Sequence, residues 1–467
     1  MTETGSHAGA EDMLAHRIAR YACDFDAEAL PDAVTACVRQ RLLDSLACIV
    51  GAYDAGPVRI AREIAAQVPV DRAGVFGAAA RTTPDLAAFA NGVMVRFLDY
   101  NDGYMGAEPG HPSDNIPACI AVAQGEGASM REFIAAAVIA YEVQMRLQDA
   151  ASLNGRGWDH AGYILPACAA AASRLMGLDI ARATEAINLA INGHIPMRQV
   201  RSGTLSDWKG CSAANAARNA VFAAGLARAG MTGPAPIFEG EMGFFRQVTG
   251  PFALNVDAFG SPANGDYAIL RSLTKTFPTN GELHTAIWAA IELRGRIADP
   301  AAITAIRIDT SEFNARVLAD AEKWHPTTRE TADHSLPYNV ARALLDGDIT
   351  LDSYSPESIA DPVARSLMVL TEVNEAPELT ALFPAMLANR VTVELASGER
   401  MTSEVRTGPG GREQPMHDAD FARKFGKMAA PHLDAAAQEA VLAFVATLER
   451  QTCFDPLFDA MKGDRQS

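Results

Sequence analysis

The first half of the chain shows one helical pattern after another. Between Pro31 and Gly51, apolar residues recur every three or four positions, at Val34, Val38, Leu42, Leu46 and Ile49. Proline and aspartate suit a first turn, and glycine suits a helix end. Comparable patterns cover residues 57–67, 84–98, 130–148, 163–176, 180–193 and 211–229. Because many apolar positions are alanine, which lets helix axes approach closely, the pattern predicts a compact all-helical domain over residues 1–265.

The pattern changes after residue 265. Polar and apolar residues alternate around Ile306 and Ile308, and again over 389–395, as in half-buried strands. Ser397-Gly398 is typical of a hairpin turn, so residues 401–406 are expected to form the returning strand. With helical patterns at 283–296 and 336–345, residues 266–405 are predicted to form a smaller α+β domain. A Gly-Pro-Gly-Gly linker follows at 408–411, and residues 406–467 are expected to return as helices to the first domain. The fold class is therefore mainly α.

Composition and charge exclude several functions. The 467 residues carry 57 acidic and 40 basic side chains, a formal charge of -17, which argues against a nucleic-acid or anionic-membrane partner. The longest apolar runs, such as 133–141, are about half of the roughly 18 residues that suggest a membrane span. If the substrate is an anion, the attraction must therefore be local. The chain shows no P-loop, dinucleotide fingerprint, nucleophile elbow or H-E-x-x-H pattern in a suitable context.

The seven cysteines are scattered, and no pair has C-x-x-C spacing. Zinc ribbons and iron–sulfur clusters are therefore not expected, and the cysteines suit small core residues in a reducing cytosol. The first dozen residues are polar and acidic, without the basic and apolar regions of a signal peptide. A cytoplasmic location is expected.

Five segments carry residues suited to chemistry. Residues 97–115 combine carboxylates with an imidazole, as a general base requires, and 156–162 place an Asp-His pair between glycines. Residues 197–215 form a cationic island that runs into a helix of small residues, which suits a carboxylate ligand. Residues 273–284 lie at the predicted domain boundary, where clefts form, and 332–338 precede a helix. All of these segments except 273–284 also have a plainer interpretation, namely solvated loops, capping residues, exposed histidines and ordinary ion pairs.

Taken together, these segments resemble the MmgE/PrpD family, which includes 2-methylcitrate dehydratases and cis-aconitate decarboxylases. The resemblance covers nearly the whole chain. Its most specific strings are Asp-Tyr-Asn-Asp with Glu-Pro-Gly-His-Pro-Ser-Asp-Asn (99–115), Trp-Lys-Gly-Cys-Ser-Ala-Ala-Asn-Ala-Ala-Arg-Asn (208–219), Ile-Phe-Glu-Gly-Glu-Met-Gly-Phe-Phe (237–245) and Asp-His-Ser-Leu-Pro-Tyr (333–338). It implies a helical domain built from both chain ends, a smaller α+β lid domain, a homodimer, and catalysis without a metal or organic cofactor.

The resemblance also implies site residues. The candidate catalytic residues are Asp99, His111, His160, Lys209, Lys275 and Tyr338. Either histidine with Asp99 would be the base, the lysines would hold carboxylates, and the tyrosine would donate a proton. The candidate substrate-binding residues are Arg198, Arg201, Asn280 and Gly103. Because Lys209 belongs to the cationic island at 197–215, replacing it with alanine is expected to weaken anion binding more than folding.

Two positions depart from the family pattern. Gly103 stands where a threonine is common, and Asn280 stands where the decarboxylases carry histidine and the dehydratases glutamate. The hypothesis is a cofactor-independent lyase acting on a small anionic di- or tricarboxylate, with dehydration of a 2-methylcitrate-like hydroxy acid favoured. Decarboxylation of a cis-aconitate-like acid and epimerisation of an amino or imino diacid remain alternatives. A catalytically silent helical binding protein is the alternative of another class, and the two departures favour it.

Overall fold

A computed structural model describes residues 10–383 and 385–462. The N-terminal stretch considered for a leader thus lies largely outside the described residues, as do the last five residues of the predicted C-terminal segment. The structure is 57% helical and 8% strand, which confirms the predicted mainly α fold with a smaller α+β region. Among the described residues, no helix is both long enough and apolar enough to cross a bilayer.

Within the described residues, the first half of the chain contributes nine packed α-helices to the larger part of the fold. They are α1 (Leu14–Asp24), α2 (Asp32–Gly51), α3 (Gly56–Ala66), α4 (Pro84–Phe97), α5 (Ile116–Glu126), α6 (Met130–Ala150), α7 (Ile164–Leu175), α8 (Ile180–Ile191) and α9 (Ser212–Arg228). Two short hairpins interrupt them, with strands β1 (Ala73–Gly74), β2 (Arg81–Thr82), β3 (Tyr104–Met105) and β4 (Pro109–Gly110). The predicted helices over this region agree with the observed ones to within a few residues, and α1 and α5 are additions.

The smaller part is built around a four-stranded sheet. Its strands are β5 (Ile303–Thr310), β6 (Thr371–Glu375), β7 (Asn389–Leu395) and β8 (Arg400–Val405), in the order β6-β5-β7-β8. Strands β5 and β6 are parallel and the other pairs are antiparallel. The helices of this part are α10 (His284–Arg294), α11 (Glu312–Val317), α12 (Arg329–Ala332), α13 (Leu336–Asp346), α14 (Pro356–Ala360), α15 (Pro362–Val369) and α16 (Pro377–Thr380). Sequence analysis anticipated β5, β7 and β8 but not β6.

The chain ends with α17 (Asp418–Ala429), α18 (Ala435–Ala446) and α19 (Asp455–Ala460). Side chains from these helices share one hydrophobic cluster with residues 14–269, whereas a second large cluster gathers residues 277–401. The division into 1–265, 266–405 and 406–467 stays a proposal, which the membership of these two clusters supports.

Close helix packing fixes the position of the candidate chemistry. A Cβ atom at Gly92 of α4 would lie 2.8 Å from the Cβ of Ala214 in α9, so these helices meet where only glycine fits. The contact joins the end of α4, which carries Arg96, to the start of α9, which Lys209 precedes. Residues of the smaller part that lie more than 100 positions away along the chain also contact this junction.

Lys424 of α17 also stabilises this region through several contacts. Its buried Nζ donates to Asp44 Oδ1 at 2.7 Å, to the Tyr100 carbonyl at 2.6 Å and to the Lys275 carbonyl at 3.1 Å. The ammonium also lies 3.6 Å from the centre of the Tyr100 ring. The C-terminal helices thereby hold backbone next to Asp99 and at Lys275 in one arrangement.

Candidate active site between the two parts of the fold

A cavity of about 470 Å³ lies between the larger and the smaller part of the fold. Its volume is in the range of small-molecule sites. Eight of the ten residues that sequence analysis put forward line it, namely Asp99, Gly103, His111, His160, Arg198, Arg201, Lys275 and Asn280. Lys209 lies just behind the lining, and Tyr338 lies elsewhere.

Asp99 is the centre of a buried ionic cluster. Its Oδ1 is 2.7 Å from Arg96 Nη1 and 2.5 Å from Lys275 Nζ, and its Oδ2 is 3.2 Å from Lys209 Nζ. Burial alone would raise the pKa of this carboxyl, but the three cations hold the pKa well below its usual value. The carboxylate therefore stays ionised and balances part of a concentrated positive charge.

The backbone of Asp99 is unusual as well. Its φ of 52° is left-handed, and it is the only non-glycine residue with positive φ among those that the structure describes. Aspartate tolerates this region better than most residues, at some cost in strain. Lys275 Nζ donates to the Asp99 carbonyl at 2.8 Å and thereby holds this conformation. The strained turn directs the carboxylate back toward the lysines.

Lys209 joins Asp99 to a second buried carboxylate. Its Nζ lies 2.9 Å from Asp333 Oδ1 and 3.0 Å from Oδ2. The oxygens of Asp99 and Asp333 and a His334 nitrogen all fall within 4.8 Å of one another, a spacing that also suits a metal ion. Here the ammonium of Lys209 bridges the two carboxylates, so lysine supplies the balancing charge. The prediction that no cofactor is needed stays a prediction.

His111 and His160 lie together, with ring centres 5.4 Å apart. His111 Nδ1 donates to the Asp102 carbonyl at 2.6 Å, and its Nε2 accepts from Arg96 Nη2 at 2.9 Å. Burial lowers the pKa of His111 well below its usual value. Both rings are therefore neutral, because His160 Nε2 accepts from Arg201 Nη2 at 3.0 Å and burial lowers the His160 pKa to about 3.

His334 is the residue that sequence analysis missed. Its Nδ1 donates to Asp333 Oδ1 at 2.6 Å, and its Nε2, which no hydrogen-bond donor in the described part of the chain occupies, lies 3.6 Å from Asp99 Oδ2. Burial, reinforced by Lys209, lowers the pKa of His334 to about 4, so the ring is neutral at pH 7. An imidazole oriented by a carboxylate and open at its other nitrogen has the arrangement of a general base. The signal in the sequence that could have identified His334 is the adjacent Asp333-His334 pair, which resembles the Asp-His pair at 159–160.

Tyr338 does not reach the cavity. It lies in the first turn of α13, which the Ser335 side chain caps by accepting from the Tyr338 amide. Its ring is fully buried among the apolar residues of the smaller part, and its hydroxyl donates to the Ser353 carbonyl at 2.5 Å. The same Asp-His-Ser-Leu-Pro-Tyr string therefore contributes its aspartate and histidine to the site but not its tyrosine, and we assign Tyr338 no chemical role.

The predicted substrate-binding residues differ in whether their polar groups already have partners within the protein. Arg201 already forms an ion pair within the protein, since its Nε lies 2.8 Å from Asp159 Oδ2. The Asn280 side chain accepts from the Glu282 amide at 2.9 Å, which leaves its NH₂ group for the cavity. Gly103 contributes backbone, which pairs with Leu273. The Arg198 guanidinium lines the cavity without a hydrogen bond or ion pair to any residue that the structure describes.

Replacing Arg198 with glutamine is expected to raise KM for a carboxylate substrate about 10- to 100-fold, because a charged hydrogen bond contributes about 1.5–3 kcal/mol. The turnover number should change little, since the contact is available to substrate and transition state alike. Steady-state kinetics measure both. The matched control is Arg182→Gln on the exposed face of α8, and equal KM values in the two variants would show that Arg198 does not hold substrate.

Comparison with known proteins identifies the family of the chain. Residues 16–257 match the model of the MmgE/PrpD N-terminal domain, and residues 277–450 match that of the MmgE/PrpD C-terminal domain. The chain belongs to the MmgE/PrpD family. The matches cover most of the chain, including Arg96, Asp99 and Lys209 of the ionic cluster, so the recognition made from the sequence strings is confirmed.

Named MmgE/PrpD relatives span nearly the same length. A 2-methylcitrate dehydratase of Cupriavidus necator is 29% identical over 434 residues, covering 87% of this chain and 88% of its own. The 2-methylcitrate dehydratase of Escherichia coli K12 is also 29% identical, over 81% and 82%. A cis-aconitate decarboxylase-like protein, oryM, of Aspergillus oryzae is 27% identical over 95% and 96%.

Proposed function

We propose that this protein is a lyase that dehydrates a hydroxy di- or tricarboxylate related to 2-methylcitrate. The observation that carries the proposal is the buried cluster of Arg96, Lys209 and Lys275 around Asp99, beside an unoccupied nitrogen of His334. The relatives named as 2-methylcitrate dehydratases support the same reaction class. This local positive charge explains how a chain with a formal charge of -17 can attract an anion.

The reaction removes a proton and a hydroxide from neighbouring carbons. His334 Nε2 takes the proton from the carbon beside a carboxylate, and Asp333 and Asp99 stabilise the imidazolium that forms. The charge that develops on that carboxylate is stabilised by Arg96 and the lysines. As the carbon–carbon double bond forms, the carbon–oxygen bond breaks and the hydroxyl leaves as water.

Lys275 is the proposed acid for the leaving hydroxyl. Its ammonium lines the cavity, and burial lowers the pKa of Lys275 below its usual value, with Asp99 acting in the opposite direction. An ammonium with a lowered pKa releases its proton more readily. The neutral rings of His111 and His160 are poor acids by comparison, and we assign them to orientation of the arginines and of the substrate.

Three measurements on purified protein separate dehydration from its alternatives. Incubation with 2-methylcitrate should give a rise in ultraviolet absorbance from a new conjugated double bond. Release of CO₂ from cis-aconitate without that rise would favour decarboxylation, as the name of the oryM relative suggests for that protein. Deuterium uptake from solvent without net reaction would favour epimerisation. Absence of all three signals across a panel of hydroxy acids would favour the alternative of a catalytically silent binding protein.

The pH profile of kcat/KM is expected to be bell-shaped with its acidic limb near pH 4. His334 must be neutral to accept a proton, so activity falls as the pH drops through its pKa of about 4. Lys275 must be charged to donate, so activity falls as the pH rises through its lowered pKa. Rates are measured on protein shown to recover fully at pH 7, with correction for the ionisation of the substrate. An acidic limb near 6.5 that persists when Asp114 is replaced by asparagine would contradict the assignment of His334.

Asp114 supplies the control for that profile. It is buried beside Arg96, and burial raises the pKa of its carboxyl to about 7. Any limb near neutrality should therefore disappear in Asp114→Asn, whereas the limb near pH 4 should remain.

We also propose that the protein acts as a homodimer. Several large apolar side chains along residues 197–231 are exposed in the single chain, namely Met197, Trp208, Phe222 and Met231. Such residues are frequent at interfaces between subunits. Light scattering coupled to size-exclusion chromatography measures the mass directly, and a monomer at micromolar concentration would contradict the proposal.

A further inference from the structure

The lining of the cavity is chemically divided. The ionic cluster and Arg198 form one part, whereas another part is contributed by apolar residues of the smaller part of the fold. These are Phe313 and Val317 of α11, Leu318 after it, and Ala385, Met386 and Leu387 before β7. The aromatic ring of Phe313 stacks on that of Phe383, with centroids 5.3 Å apart, and so joins the two segments. We call these six lining residues the apolar wall.

The apolar wall is available to a ligand. Phe313, Val317, Met386 and Leu387 are only partly buried, although each lines the cavity. A compact, fully charged tricarboxylate would leave this surface in contact with water. Burial of apolar surface stabilises a complex in proportion to its area, so a wall of this kind favours a ligand with an apolar group of its own.

Gly103 leaves further room. Its φ is not left-handed, and a Cβ atom built there would meet only the Gly110 carbonyl oxygen, at 3.8 Å. Neither backbone conformation nor packing requires a glycine at this position. The missing side chain therefore contributes to the cavity volume of about 470 Å³, a size suited to drug-sized ligands.

We propose that the substrate is a hydroxy di- or tricarboxylate carrying an unbranched alkyl chain of four or more carbons. This rests on the proposed function for its carboxylate end. The carboxylates bind at Arg198 and at the ionic cluster around Asp99. The alkyl chain lies against Phe313, Val317 and Met386. The apolar wall then sets the preferred chain length, because each methylene that it covers is removed from water.

Two homologous series test this inference. The first is turnover of 2-methyl-, 2-butyl- and 2-hexylcitrate, and the second is binding of succinate and 2-methyl-, 2-butyl- and 2-hexylsuccinate by calorimetry. The succinates lack the hydroxyl group and report binding without dehydration. Each added methylene should improve kcat/KM and affinity about fourfold, so that butyl exceeds methyl by up to about 60-fold.

Variants assign the effect to the apolar wall. Val317→Trp fills the cavity beside the proposed chain and should reduce the advantage of butyl over methyl by at least tenfold. Met386→Trp, in a loop, is the second variant should the first fail to fold. Val369→Trp is the matched control, because Val369 is 85% exposed on α15, and its butyl-to-methyl ratio should equal that of the unaltered protein.

The outcomes distinguish this inference from the proposed function. Turnover of 2-methylcitrate with no gain, or a loss, for butyl would overturn the alkyl substrate and leave dehydration intact. Tighter binding of longer succinates, lost in Val317→Trp, without turnover of any citrate would support the alkyl substrate and overturn dehydration. Equal binding of all four succinates, or binding of none, would overturn the alkyl substrate.

Discussion

Lys209→Met is expected to lower the free energy of unfolding by about 3–5 kcal/mol, the usual effect of removing one partner from a buried ion pair. The ammonium lies between Asp99 and Asp333, and both carboxylates are at least 98% buried. Methionine preserves most of the volume but leaves these two charges facing each other across an apolar side chain. Urea and thermal unfolding, monitored by circular dichroism, measure the loss.

Lys427→Met is the matched control. Its ammonium pairs with Asp348, and both side chains are 50% exposed, so the expected change is at most about 1 kcal/mol. Adding Asp333→Asn to Lys209→Met should restore part of the lost stability, because one unpaired charge is removed. If Lys209→Met proves as stable as Lys427→Met, the buried ionic cluster is not formed as described. This expected result reverses the sequence-based expectation that Lys209 would matter for anion binding more than for folding.

His334→Gln is expected to lower kcat about 100- to 10,000-fold with a much smaller change in KM, as removal of a general base does. Glutamine retains a donor for Asp333 and roughly the same length, so the neighbouring ion pairs should persist. Stopped-flow or steady-state rates on the substrate found by the assays above provide the measurement.

His325→Gln, on an exposed residue of the same region, is the matched control and should leave kcat unchanged. Asp333→Asn should reduce kcat as well, by removing the partner that orients the imidazole, and it should shift the acidic limb of the pH profile. A His334→Gln protein with an undiminished kcat would transfer the role of base to His111 or His160.

Much of the fold was predictable because it depends on local patterns. Spacing of three or four residues located six helices of the larger part and the start and end of α2, and alternation located β5, β7 and β8. Strand β6 escaped because its residues, Thr371–Glu375, are mostly polar, and only their pairing beside β5 makes them a strand. A polar edge strand has no alternation to detect.

The candidate site was partly predictable for a different reason. Asp99, His111, His160, Lys209 and Lys275 stand in distinctive strings, and comparison of those strings was sufficient to select them. The choice of Tyr338 over His334 came from the same strings. Helix α13 turns the tyrosine into the apolar core, whereas His334, directly before its cap, lines the cavity and is held by Asp333. The family resemblance favoured the tyrosine as a proton donor, and the direction of its side chain was decided by packing.

The sequence by itself determined the mainly α fold, the family and eight of the residues that line the cavity, because periodicity and short strings are local properties. Only the tertiary structure decided the ionic state and the free groups of the site. Lys209 and Asp333 are 124 positions apart, and Lys275 and Asp99 are 176 apart, yet each pair is in contact. Charge balance, the open nitrogen of His334 and the apolar wall all arise from contacts between distant segments, and such contacts leave no trace in the spacing of residues along the chain.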